Sequence, residues 1–160
     1  MKTAAFLLCA ALLSLSACKQ QAPAPEATAD AANPDAKPGL SMSVGKLVLP
    51  AVKGNPGAAY FELANRSDKD TALAAVVIDG AGKTEMHETT ENGMETIASL
   101  PVKAGETVTF ARGGRHVMAF DLDGKLAVGG KTEATLVFAD GDKLSGDLEI
   151  EAAGGSDHAH

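Results

Sequence analysis

Two histidines and two methionines near the middle of the sequence carry side chains that can bind a soft metal ion. They are His87, Met94, His116 and Met118, and only Val117 separates the last two. Residues two apart on a β-strand point to the same face, so this imidazole and this thioether can converge on one ion. Neutral thioethers prefer Cu(I) to zinc, calcium or magnesium, and imidazole also suits copper. The four residues therefore predict a Cu(I) site, although a lone methionine in a strand more often belongs to the core.

The segment between His87 and Met94 contains the dipeptide Asn92-Gly93, which is a strong signal for a tight turn. A β-hairpin at this point would bring His87 and Met94 to the same end of the fold. Met86 would then lie on the opposite face of its strand, where packing is favoured over an alternative role as a ligand in place of His87.

Short runs of β-forming residues recur along the chain, with turn signals such as Asp123-Gly124 between them. This spacing is typical of an all-β sandwich or barrel. We expect strands at Ser43–Ala51, Ala58–Asn65, Thr71–Ile78, Lys83–Glu88, Met94–Ser99, Glu106–Phe110, His116–Leu122, Lys131–Phe138 and Leu144–Ile150.

The spacing of the candidate ligands resembles that of the periplasmic copper chaperones called PCuAC. The pattern of that family is a histidine or methionine, ten residues, a methionine, twenty-one residues and His-X-Met. Here twenty-one residues also separate Met94 from His116, and Gly113-Gly114-Arg115-His116 and Ala104-Gly105-Glu106-Thr107-Val108 resemble further family segments. The departure is in the first loop, where six residues instead of ten separate His87 from Met94.

The resemblance implies a cupredoxin-like or immunoglobulin-like β-sandwich of about eight or nine short strands. It also implies that the domain holds Cu(I) and delivers it to the copper centre of a respiratory cytochrome oxidase subunit, or to another copper chaperone. We expect the protein to be a monomer. The alternative is a lipoprotein domain that buffers copper, confers copper resistance or is purely structural. The sequence contains no nucleophile–base pair, phosphate-binding loop or carboxylate pair at catalytic spacing, so we expect a carrier and not an enzyme.

The N-terminus has the pattern of a secretory signal over residues 1–17, with Lys2 followed by an apolar run from Ala4 to Leu15. This run is shorter than the roughly 20 residues that a membrane-spanning helix needs. The segment Leu15-Ser16-Ala17-Cys18 resembles the lipobox of bacterial lipoproteins, which implies that Cys18 becomes the lipidated N-terminus. We therefore expect a periplasmic protein anchored by lipid to the periplasmic face of the outer membrane.

The two cysteines are both assigned by this pattern, because Cys9 lies within the signal and Cys18 carries the lipid. No thiol remains for a disulfide or for a blue-copper centre, so a soft-metal site must use methionine and histidine. The formal net charge is −7 and tryptophan is absent, which argues against nucleic acid as a partner.

The remaining chain divides by composition. Residues 18–39 form a lipidated start and a flexible Ala/Pro-rich linker, residues 40–151 form the copper-binding domain, and residues 152–160 form a polar tail. In the tail, His158 and His160 are candidates for a secondary Cu(II) site, because their nitrogen donors are harder than thioethers.

Three further residues near the candidate site or the first strand have simpler expected roles. We expect Met42 to pack against the core. Arg112 and Arg115 precede His116 and flank the candidate site, and we expect solvated loop charges there, with partner docking as the alternative.

Overall fold

The computed structural model describes residues 37–154, and within this range the chain forms strands and no helix. The all-β prediction is therefore confirmed, with eleven strands in place of eight or nine. They are β1 (Leu40–Met42), β2 (Gly45–Leu49), β3 (Gly57–Asn65), β4 (Thr71–Ile78), β5 (Ala81–Thr90), β6 (Gly93–Thr96), β7 (Leu100–Val102), β8 (Thr107–Phe110), β9 (Arg115–Leu122), β10 (Lys131–Phe138) and β11 (Lys143–Ala152).

Most strands follow one hydrogen-bonded path, in the order β6-β5-β9-β3-β2-β11-β10-β4-β7. The second half of β3 leaves this path and pairs with β1 and β8. The path also curls back on itself, so that β5 approaches β4. At this point the Thr84 hydroxyl in β5 donates a hydrogen bond to the Val76 carbonyl in β4. The result is a β-sandwich that encloses a single apolar core.

The core is built by strands whose side chains alternate between inside and outside. In β10, for example, Ala134, Leu136 and Phe138 are buried while the residues between them are not. The largest fully buried apolar side chains come from eight different strands, among them Leu47, Leu63, Leu73, Phe110, Val117 and Leu148. Because β9 contributes Val117 to this interior, the residues on either side of Val117 must face outward.

Two short strands were missed by the sequence pattern. Strand β1 covers only Leu40–Met42, and β7 covers only Leu100–Val102. Three residues are too few to show alternation, and Pro101 is a residue that normally argues against a strand. The structure accommodates this proline because β7 is the last strand of the path and pairs only with β4.

Gly45, the first residue of β2, provides a test of how tightly the sandwich is packed. A Cβ atom at this position would lie 2.5 Å from Leu148 Cδ2 and 2.7 Å from the Tyr60 carbonyl oxygen. We expect Gly45→Ala to lower the free energy of unfolding by about 1–3 kcal/mol, because the backbone oxygen cannot move aside without disturbing β3. Urea denaturation measures the change. Gly124→Ala is the matched control, since a Cβ there meets nothing within 4 Å, and equal losses in both variants would contradict the prediction.

Candidate metal centre

The hairpin expected between His87 and Met94 is present as strands β5 and β6. Thr90 pairs with Gly93, so Glu91 and Asn92 form its two-residue turn. Gly93 follows the turn with a φ of 122°, a backbone conformation that residues other than glycine rarely adopt. The Asn-Gly signal thus marks the hairpin correctly, with the turn one residue earlier than the dipeptide.

Strand β9 lies on the other side of β5, and the register between them brings the two histidines together. His87 is directly opposite His116, and Glu85 is directly opposite Met118. On the β6 side, His87 is opposite Thr96, and Thr89 is opposite Met94. Residues directly opposite each other in an antiparallel pair share a face of the sheet. All four candidate ligands, His87, Met94, His116 and Met118, therefore lie on one face of the three strands.

Met86 points the other way. It pairs with Val117, is 4% exposed and belongs to the buried core. This position agrees with the packing role expected for Met86. Met42 also packs against the core, where it covers Gly146 of β11.

The two imidazole rings stand side by side, with their centroids 5.9 Å apart and their planes 22° from parallel. His116 is only 8% exposed, and its Nδ1 lies 2.9 Å from the Gly114 carbonyl oxygen. A carbonyl can only accept a hydrogen bond, so Nδ1 must carry the proton. In the neutral ring the lone pair is then on Nε2, the form in which a histidine binds metal.

In His87 the other ring nitrogen, Nε2, is the one that contacts a protein acceptor. Its Nε2 lies 3.1 Å from Oε2 of Glu85, and its Nδ1 is buried without a hydrogen-bond partner. Buried polar atoms are nearly always paired, so an orphaned ring nitrogen needs an explanation. A metal ion bound at Nδ1 would supply the missing partner. The donor chemistry of this face therefore fits a copper ion.

The two methionines lie on opposite flanks of the imidazole pair. Met118 on β9 is opposite Glu85, two residues before His87 on β5. Met94 on β6 is opposite Thr89, two residues after His87 and nearer the hairpin turn. Their rows are four positions apart along β5, which places their backbones about 14 Å apart along the strands and about 10 Å across them. Met94 is also 57% exposed. The structure thus groups His87, His116 and Met118, and leaves Met94 at the outer end of the hairpin.

The carboxylate of Glu85 is the charged group nearest to this cluster, and sequence reasoning did not single it out. Its Oε1 lies 2.6 Å from the Lys83 ammonium, while Oε2 faces His87. The hydrogen bond from Lys83, followed by that from His87, lowers the pKa of the Glu85 carboxyl below its ordinary value. The signal in the sequence was the alternation Lys83, Glu85, His87, which places all three on one strand face.

Arg112 is an exposed turn residue, as expected for a solvated loop charge, whereas Arg115 is half-buried within β9. Arg115 forms an ion pair with Glu88 at 3.2 Å, on the face of β5 and β9 away from the imidazoles. Arg112 lies over the Tyr60 ring, 5.3 Å from its centroid, which is a cation–π contact. The expectation of a solvated loop charge is therefore wrong only for Arg115, whose ion pair joins register partners of β9 and β5.

Residues 37–154 contain no group of three or more His, Cys, Asp and Glu side chains that could hold a metal ion. A site with three protein ligands on this face would therefore need a thioether. Within the same range no helix is long and apolar enough to cross a membrane. The predictions for residues 1–17, Cys18, His158 and His160 fall outside the described residues.

The fold and the site together define an all-β sandwich with imidazole and thioether donors on one sheet face. A family model described as "Putative lipoprotein LpqE-like" matches residues 36–150. The chain is also 30% identical over 137 residues to "Putative lipoprotein Lxx21020" of Leifsonia xyli subsp. xyli, an alignment that covers 82% of this chain and 79% of that protein. The chain therefore belongs to the LpqE-like family.

Two of the solved structures with a similar fold are described as copper-bound or Cu(I) forms. The Cu(I) form of DR1885 from Deinococcus radiodurans is 28% identical, with a TM-score of 0.60 over 72% of this chain and 80% of that one. The copper-bound PCuAC domain from PmoF2 has a TM-score of 0.62 over 71% of this chain and 93% of that one. At 23% identity, the likeness to the PmoF2 domain establishes the fold alone. The expected resemblance to PCuAC domains is thus confirmed for the architecture, whereas the family model that matches is LpqE-like.

Proposed function

We propose that this protein is an exported, lipid-anchored copper carrier that binds one Cu(I) ion between His87 and His116. The observation that carries the proposal is the imidazole pair, in which each ring has one nitrogen engaged by the protein and the other left for a metal. The similarity in fold to copper-bound PCuAC domains, and to the Cu(I) form of DR1885, supports this proposal.

The ligand set would favour the reduced ion. Met118 adds a neutral, soft sulfur on the same face, and the fixed thiolate that a blue-copper centre needs is absent from residues 37–154. The Glu85 carboxylate is neutralised by Lys83, so it adds little net negative charge. A site of neutral donors at the sheet surface lets copper enter and leave by exchange of one ligand at a time.

Met94 would act at the entrance of this site. Its exposed thioether can capture Cu(I) from solution or pass it to an acceptor. It would reach an ion held by His87, His116 and Met118 when the tip of the hairpin bends toward them. The acceptor in this proposal is the copper centre of a respiratory oxidase or another copper chaperone. Copper buffering without a specific acceptor is the second candidate, and a transfer assay with purified apo-acceptors separates the two.

Because Met118 lies beside the imidazole pair and Met94 lies at the outer end of the hairpin, we expect their removal to have different effects. We expect Met118→Ala to weaken Cu(I) binding at least about tenfold, the equivalent of 1.4 kcal/mol for one lost ligand. Met94→Ala should change the affinity much less but slow the transfer of copper to a chelator. Competition against a chromogenic Cu(I) chelator gives the affinity, and stopped-flow mixing gives the rate. Equal losses of affinity in the two variants would show that Met94 is a full ligand of the resting site.

A further inference from the structure

The strand that carries His87 also carries two charged residues on the same face. Lys83, Glu85 and His87 alternate along β5, and their side chains form a continuous chain of contacts. The Lys83 ammonium engages Oε1 of Glu85 at 2.6 Å, and Nε2 of His87 lies 3.1 Å from Oε2. Both carboxylate oxygens are therefore occupied by protein donors.

This chain of contacts fixes which nitrogen of His87 carries the proton. The Glu85 carboxylate is paired with the Lys83 ammonium through Oε1, so its Oε2 can only accept a hydrogen bond from His87. The proton of the neutral ring must then be on Nε2. The lone pair is left on Nδ1, the atom that is buried without a partner.

We propose that Glu85 is a positioning residue that presents Nδ1 of His87 to copper, while Lys83 keeps the carboxylate itself from acting as a ligand. The proposal rests on the proposed function, because it concerns the same copper ion. His116 is held in the opposite sense, with Nδ1 bonded to the Gly114 carbonyl. The two imidazoles would therefore bind through different atoms, Nδ1 of His87 and Nε2 of His116.

The difference between the two rings has a structural cause in the sheet. His87 and His116 are directly opposite each other on neighbouring antiparallel strands. Each ring donates a hydrogen bond to an acceptor two residues before it in the chain, the Glu85 carboxylate for His87 and the Gly114 carbonyl for His116. A side-chain carboxylate on one side and a backbone carbonyl on the other engage different ring atoms. A partner that orients a metal-binding histidine typically changes metal affinity 10–100-fold when it is removed, so we expect Glu85 to matter at about this level.

The experiment combines Cu(I) affinity with ¹⁵N NMR of the purified protein labelled at histidine. In the wild-type protein we expect Cu(I) to shift the resonance of Nδ1 of His87, while Nε2 keeps its proton. Glu85→Ala should weaken Cu(I) binding about 10–100-fold and let copper reach either ring nitrogen. Glu85→Gln keeps an oxygen that can accept the hydrogen bond, and it should restore most of the affinity.

The matched control is Glu95→Ala, which removes the same charge next to Met94. Glu95 pairs with Glu88 and lies on the opposite face of the hairpin from His87. Its loss should leave both the affinity and the His87 resonances unchanged. A wild-type protein that binds Cu(I) through Nε2 of His87 would overturn the positioning role alone, as would equal affinities for Glu85→Ala and Glu95→Ala. A wild-type protein that binds no Cu(I) would instead overturn the proposed function.

Discussion

Replacing Met94, His116 and Met118 together by alanine is expected to abolish binding of Cu(I) by this protein. The triple variant loses both thioethers and one of the paired imidazoles, and keeps only His87 of the four candidate ligands. If the losses of His116 and Met118 each cost at least about 1.4 kcal/mol, the affinity falls by about a hundredfold or more, and the loss of Met94 adds a smaller decrease. A titration against a Cu(I) chelator should change from one bound ion per chain to none.

The control for this variant must show that the loss is due to the ligands and not to unfolding. His116 is nearly buried, so its removal can also lower stability, whereas Met94 is largely exposed. Urea denaturation and circular dichroism report whether the triple variant keeps its fold. Met42→Ala serves as a second control, because it removes a thioether that packs against the core away from the hairpin. A folded triple variant with wild-type affinity would rule out this site.

The strands were predictable where the chain alternates and ends in clear turns. The expected strands Thr71–Ile78 and Lys131–Phe138 agree with β4 and β10 at both ends. Strand β10 buries every second residue from Ala134 to Phe138, and β4 ends in the β-branched run Val76-Val77-Ile78. An Asp-Gly turn signal follows each strand, at Asp79-Gly80 and at Asp140-Gly141. Strands β1 and β7 escaped notice because their pairing comes from neighbours distant in sequence, β3 and β4, and three residues carry no period.

The shared strand face of the candidate ligands was predictable from the sequence, whereas the distances between them were not. The spacing of His116 and Met118 placed both on one strand face, and the register of β9 agrees with that placement. The position of His87 opposite His116 depends on how β5 pairs with β9, which sequence alone does not set. The same register leaves Met94 far from Met118.

The contacts of the charged residues around the site were also not predictable from the sequence. Alternating charges such as Lys83 and Glu85 look like the solvated face of any strand, and only the contact of Glu85 with Nε2 of His87 distinguishes them. Arg112 and Arg115 were similarly ambiguous, because a loop charge is solvated or engaged depending on where the loop folds. The Arg112–Tyr60 contact joins residues that are distant in sequence, which the pattern of neither segment shows.

Replacing Cys18 by serine is expected to release the protein from membranes entirely or to leave its signal segment uncleaved. The family to which the chain belongs is described as lipoproteins, and Cys18 is the last residue of the lipobox-like segment. Only a thiol can form the thioether to the lipid, and each buried CH₂ of an acyl chain contributes about 0.8 kcal/mol to anchoring. A serine hydroxyl at this position would therefore remove the whole anchor.

The matched control for this prediction is Cys9→Ser, which changes the other cysteine of the chain within the apolar run. That variant should remain membrane-bound, because the residue that receives the lipid is intact. Fractionation of cells into membrane and soluble material measures the distribution, and mass spectrometry of the N-terminus identifies the lipid and the cleavage site. A Cys18→Ser protein that stays in the membrane fraction with a mature-length N-terminus would exclude anchoring through Cys18.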